Sequence, residues 1–229
     1  MNINLETQAQ LNFVQRITGT FLSPRAVFED AASRTSWLPL LVLMCIITLG
    51  FSLLTIGKVQ EFFQITMEAQ MQTVPGSPDL TAMMLKTVTI TAVVGGALSP
   101  IIFCLLAALL LKLCNAFVGE KIPYRQFFAI SVYAYLPMLI ASMLTSIIIS
   151  LTPAANFGEV STGLYLFFPP GSTGFAASLA RQIDPFYLWS IFLVSLGGAV
   201  LSQAKVKSYA IFMFGVWALF SVGSALLAA

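Results

Sequence analysis

Asp184 is followed at once by Pro185 and then by a long apolar stretch, and it is the one carboxylate of this chain that directly abuts such a stretch. A carboxylate there has two uses. It can cap a helix, meeting the unpaired N–H groups and partial positive charge of the first turn, or it can hold a cation at the edge of a membrane span. Arg181, three residues earlier, is an alternative partner. The plain cap is the simpler expectation and a functional carboxylate the sharper one. Met67, Met71, Met83 and Met84 gather between two apolar stretches. Thioethers suit Cu(I), but Met67 lies on an apolar helical stripe with Val59, Phe62, Phe63 and Thr66, so apolar packing is expected. Gly171-Ser172-Thr173-Gly174 has the look of a phosphate loop but lacks the Lys and follows no strand. Cys45, Cys104 and Cys114 form no CxxC or metal spacing and read as small apolar filler. The chain contains no His, which removes a Ser-His-Asp triad, imidazole-held metal and a His proton relay.

The elements that must position these residues are apolar throughout. Charged residues make up 9% of the chain, hydrophobic ones 58%, and the mean hydropathy is +0.91. A soluble domain carries roughly 25% charged residues, so a soluble enzyme, a disordered tail and a nucleic-acid binder are excluded. Crossing roughly 30 Å of hydrocarbon takes about 20 apolar residues, and five stretches qualify: 37–57, 87–111, 127–151, 186–202 and 208–229. The expected fold is an all-α integral membrane protein, a bundle of five transmembrane helices with an N-terminal amphipathic helix. The division expected is 1–36 as a cytoplasmic N-terminal segment and 37–229 as the membrane domain. The first stretch is too long for a signal peptide and is expected to stay as an anchor. These spans hold no Asp, Glu or His. An intramembrane protease or a proton-coupled carrier would need one, unless Asp184 is drawn inward.

Basic residues set the orientation. Arg16, Arg25, Arg34, Lys112, Lys121, Arg125, Lys205 and Lys207 fall on one side, against Lys58, Lys86 and Arg181 on the other. The expectation is a cytoplasmic N-terminus and an outside C-terminus. Leu11, Val14, Ile17 and Phe21 recur at helical spacing, and Ser23-Pro24 starts a second helix with Val27, Phe28 and Ala31 as its stripe. These helices are read as lying on the cytoplasmic leaflet, with packing on the bundle as the alternative. The first span is expected to continue as a helix until Pro75-Gly76-Ser77-Pro78. Tyr165-Leu166-Phe167-Phe168-Pro169-Pro170-Gly171 is too apolar for a free loop; it caps the bundle, enters the interface or meets a partner.

Within the spans, Gly95, Gly96 and Ser99 form one small-residue cluster, and Gly197, Gly198 and Ser202 another. Small faces let helices approach closely in lipid, so the second and fourth spans are expected to touch through these glycine pairs. Pro100 and Pro137 should kink their spans, leaving carbonyls for Ser or Thr to satisfy. A pore or carrier for an ion or small solute would draw on Pro100, Pro137, Asn115 and Asp184.

Three ordered blocks carry a family likeness. They are Leu22-Ser23-Pro24-Arg25-Ala26-Val27-Phe28, then Lys121-Ile122-Pro123-Tyr124-Arg125-Gln126-Phe127-Phe128 running on to Pro137, then Asp184-Pro185-Phe186-Tyr187-Leu188-Trp189-Ser190. In their order on five spans, over about residues 20–225, they resemble the Yip-domain membrane proteins, in a bacterial branch. Positions that carry the likeness are Pro24, Phe28, Tyr124, Arg125, Pro137, Asp184, Phe186 and Trp189. The resemblance implies a five-helix bundle with a cytoplasmic N-terminus. The small-residue faces, the apolar 165–171 segment and the lack of chemical groups point to a non-enzymatic scaffold or accessory subunit, expected in the bacterial inner membrane. Eukaryotic relatives act in vesicle trafficking; some bacterial relatives accompany ABC-type exporters. Implied partners are the lipid bilayer and other membrane proteins, with ABC-type transporter components among the options and a homo-oligomer left open. No cofactor is implied. A pore or carrier, or a lipid-handling and membrane-shaping protein, are the alternatives.

Overall fold

The computed structural model describes residues 11–33, 37–71, 78–118 and 121–228. The described chain is helical, without strands. Two short helices, α1 (Phe13–Leu22) and α2 (Pro24–Ser33), precede two long ones, α3 (Leu38–Met71) and α4 (Pro78–Val118). Helices α5 (Tyr124–Ala134) and α6 (Leu136–Leu151) follow, then two 3-10 turns, Ala154–Glu159 and Leu164–Phe167, a short α7 (Phe175–Gln182), α8 (Pro185–Leu201) and α9 (Val206–Leu227). Four stretches are long and apolar enough to cross a membrane, with α5 and α6 together forming one of them. The count rises to five if α7 and α8, bent by 54° at their junction, are taken as one broken span. The expected spans all fall on these helices. The face carrying α1 and α2 is called near, the opposite face far.

Local chemistry explains the starts and stops. Asn12 and Gln15 form a reciprocal capping box on α1, with bonds of 2.8 Å each way. Pro24 and Pro185 open α2 and α8, where a missing N–H costs nothing. Pro100 lies inside α4 without ending it, and the Gly96 carbonyl that it leaves without a backbone donor accepts from Ser99 Oγ at 2.9 Å. At Pro137 the third span breaks into α5 and α6 around Tyr135.

Three expectations need correction. The α2 stripe does not rest on lipid: Val27, Phe28 and Ala31 are fully buried in the common core, where α2 packs on α5 and α8. The Arg16–Asp30 ion pair, 2.6 Å, ties α1 to α2. Helix α1 stays partly open, with Val14 and Leu22 exposed. Secondly, the two glycine pairs do not meet. Gly96 makes room for Ser52 of α3, Gly197 for Ile130 of α5 and Phe28, and Gly198 for Leu111 of α4 and Tyr209 of α9. A Cβ on Gly198 would lie 2.7 Å from the Tyr209 ring, whereas one on Gly95 would meet nothing within 4 Å. Helix α8 reaches α4 near its near-face end; at the level of Gly95 a cavity and α6 intervene. Thirdly, Met83 and Met84 are not packed in a core. Met67 is half-buried while Met83 and Met84 are exposed; the Met71 side chain lies outside the described set.

Helix α3 does run on past the expected span, through Met71; the Pro75-Gly76-Ser77 breaker lies outside the described residues. Its 34 residues, at about 1.5 Å each, exceed the hydrocarbon thickness by roughly 20 Å. The start of α4 runs beside this extension, held by Gln60 Nε2 donating to Thr89 Oγ1 at 2.9 Å. Together they form an arm on the far face. The three cysteines are free, two buried and Cys45 half-buried.

Candidate functional site: a far-face crevice headed by Asp184

Asp184 caps α8. Its Oδ1 accepts from the backbone N–H of Phe186 at 2.8 Å and of Tyr187 at 3.3 Å, the geometry that an N-cap side chain is selected for. Its Oδ2 accepts from Thr162 Oγ1. Thr162 is brought there by Gly163, where a Cβ would lie 2.7 Å from the Ile183 carbonyl, and by Leu164 N–H donating to that same carbonyl at 2.8 Å. Asp184 is 7% exposed and makes no ion pair among the described residues. Arg181 does not join it. Its guanidinium lies 3.3 Å above the Tyr165 ring and donates to the Gly158 carbonyl at 2.9 Å.

These contacts belong to a folded cap made from residues 152–184. Tyr165 is buried at its centre, its hydroxyl 3.0 Å from Glu159 Oε2, and Glu159 Oε1 accepts from Gly171 N–H at 2.9 Å. Burial, and then the Glu159 hydrogen bond, push the Tyr165 phenol above its ordinary range, so it stays a donor. Phe157 of the cap stacks on Phe62 of the arm, centroids 5.0 Å apart. Leu166 and Phe167 at the tip remain exposed.

Beneath the cap, α4, α6 and α8 enclose a crevice of about 620 Å³, within the usual range of ligand sites. Its far end is polar, with Asp184, Thr162, Tyr187, Thr145 and Ser146. Its inner part is apolar, with Ile102, Phe103, Leu106 and Met138, although Ser99, Ser142 and Tyr135 line it too. Phe103 and Tyr135 touch, centroids 5.2 Å apart. Ile102, Leu106 and Tyr187 are about half exposed on spanning helices, so the mouth opens sideways.

A second polar cluster lies near the other face. Ser202 Oγ donates to Asn115 Oδ1 at 2.9 Å, Tyr209 hydroxyl and Ser202 Oγ are 2.5 Å apart, and Tyr209 hydroxyl lies 3.2 Å from Asn115 Oδ1. All three residues are buried. They pin α4, the end of α8 and α9 together.

The sequence-expected residues therefore separate. Asp184, Gly95 and Ser99 come together at the crevice, next to Pro100. Gly197, Gly198 and Ser202 serve the near half, as does Phe28. Tyr124 donates to the Leu105 carbonyl at 2.8 Å, and Arg125 is exposed. Phe186 is half-buried, and Trp189 is exposed and stacks on Phe192, centroids 5.3 Å apart. Asn115 lies with Ser202, not with Asp184. Thr162, Gly163, Thr145 and Ser146 escaped the sequence reading, since nothing local connects Thr162 to a carboxylate 22 residues on, and Tyr187 entered it only within a family-like block.

No curated protein and no solved structure matches the chain. The model of the Yip1 domain matches residues 18–227, from α1 to the end of α9. Its match over nearly the whole chain, on a bundle of apolar spanning helices, makes this a multi-pass membrane protein that belongs to the Yip1-domain family.

Proposed function

We propose that the chain is a non-enzymatic membrane scaffold or accessory subunit that binds another integral membrane protein through its far face. One observation carries this reading: α3 and α4, at 34 and 41 residues, are longer than the hydrocarbon is thick, and their far-face ends carry Ile65, Met83 and Met84 exposed. Apolar side chains beyond the bilayer are costly in water and mark a contact surface. The cap adds Leu166 and Phe167 on a fold stiffened by Tyr165, Glu159 and Arg181. The partner this fits is a membrane protein with its own extramembrane part; ABC-type transporter components are the class that the family likeness suggests.

The compartment proposed is the bacterial inner membrane, N-terminus in the cytoplasm. The basic residues support it, with Arg16, Arg25, Lys112, Lys121, Arg125, Lys205 and Lys207 on near-face segments. A periplasmic reporter fused after residue 229 should be active and one after residue 120 silent; the reverse pattern overturns the orientation. For the partner, the chain is extracted from native membranes in several mild detergents. A defined membrane protein should co-purify, and Ile65→Glu with Met83→Glu should release it without lowering the thermal midpoint. A chain that always emerges alone would refute the scaffold reading.

A further inference from the structure

We propose that the crevice under the cap is a binding site for one membrane lipid of the far leaflet, its head a primary ammonium seated on Asp184. This goes beyond the scaffold reading and uses none of the arm residues.

Asp184 is the only charged side chain among the described residues that line the crevice. It has hydrogen-bond donors but no counter-charge: two backbone N–H groups and the Thr162 hydroxyl, and no ion pair among the described residues. A carboxylate accepts about four hydrogen bonds, so Asp184 has room for one more donor. A buried charge at the margin of a bilayer is expensive without a partner. A cationic donor answers both needs. Tyr187, half exposed at the mouth, adds an aromatic face for a cation. Thr145 and Ser146 line the same end, and their hydroxyls donate to no group among the described residues, leaving them for the phosphate beside the ammonium.

The rest of the crevice suits a hydrocarbon chain better than a bare ion. Ca2+ and Mg2+ take six or more oxygen ligands, and an ion held at the polar end would leave the lining of Ile102, Phe103, Leu106 and Met138 unused. From Gly95 to Leu106 the α4 wall runs about 16 Å at roughly 1.5 Å per residue, close to half the hydrocarbon thickness. Polar end outward, apolar part inward and mouth open sideways is the orientation a lipid already has in that leaflet.

The test uses the full chain, purified and stripped of lipid, titrated with dioleoyl phosphatidylethanolamine, phosphatidylcholine and phosphatidylglycerol, with bound lipid counted by native mass spectrometry. The expected result is one ethanolamine lipid bound at least about tenfold more tightly than the glycerol lipid, with choline in between. Asp184→Asn retains the cap acceptor and should shrink that preference to within about twofold. Gly95→Leu, placed where a Cβ meets nothing, should fill the crevice and weaken all three lipids together. Equal affinity for the ethanolamine and glycerol lipids in the parent overturns the proposal, as does a preference that survives Asp184→Asn or binding that Gly95→Leu leaves untouched. If Asp184→Asn fails to fold, the headgroup ranking in the parent and the Gly95→Leu result still decide.

Discussion

Near one face Asn115, Ser202 and Tyr209 satisfy each other inside a packed junction of three helices; near the other Asp184 and Thr162 pair at the head of an open crevice. Both clusters place polar side chains at the ends of apolar helices, where an unmatched group is costly. The difference lies in what closes them. At the near face Leu111 and the Tyr209 ring press on Gly198 and leave no space. At the far face a Cβ on Gly95 would meet nothing within 4 Å, and the carboxylate keeps a free accepting position. A closed polar cluster in a membrane bundle specifies which helices touch; an open one remains available to a ligand.

Substitutions that act on one cluster and spare the other would break this contrast or sharpen it. Asn115→Leu should have the largest effect. It removes the acceptor that the Ser202 and Tyr209 hydroxyls share and leaves them only each other in a buried site, so one hydroxyl proton goes unpaired at a cost of about 2–3 kcal/mol, and each kcal/mol lowers the midpoint by about 2–4 °C in a chain of this size. Thermal unfolding in detergent would show it, with the lipid ranking unchanged. Gly198→Leu comes next, through overpacking against Tyr209 and Leu111, at about 2 kcal/mol. Equal stability of this variant and the parent would mean that the junction is looser than its contacts imply. Thr162→Val keeps the shape but removes one donor from Asp184, with an expected loss of about 1 kcal/mol, seen as a small shift in midpoint together with altered lipid affinity. Gly95→Leu should change stability least, within about 0.5 kcal/mol, while lowering lipid occupancy. A midpoint drop as large as that of Gly198→Leu would show that the space beside Gly95 is closed in the membrane.

Much of the architecture was legible because bilayer chemistry is strict. Uninterrupted apolar stretches near 20 residues have few other uses, so the apolar helices could be read directly, whereas for the Tyr165 segment the sequence left a cap, an interfacial dip and a partner contact open, and the structure shows a folded cap. Asp184-Pro185 pointed to its own cap, since an N-cap and the proline after it are local features. The glycine pairs show the limit. Small residues announce that something packs closely, but not what. The glycine pairs were expected to meet each other, and the bundle instead gave Gly96 to Ser52 and Gly198 to Tyr209.

What the sequence by itself determined was therefore one-dimensional: which segments are apolar enough to span, where helices start, and which side collects the basic residues. Tertiary structure alone decided that α2 buries its stripe against α5 and α8, that Thr162 meets Asp184, and that a crevice separates α4 from α8 at the depth of Gly95. Hydropathy and capping act over one or a few turns, so a sequence displays them. Neighbour choice among equally apolar helices rests on side-chain fit between residues far apart in the chain, and in lipid no difference in hydrophobicity marks which face belongs to which partner.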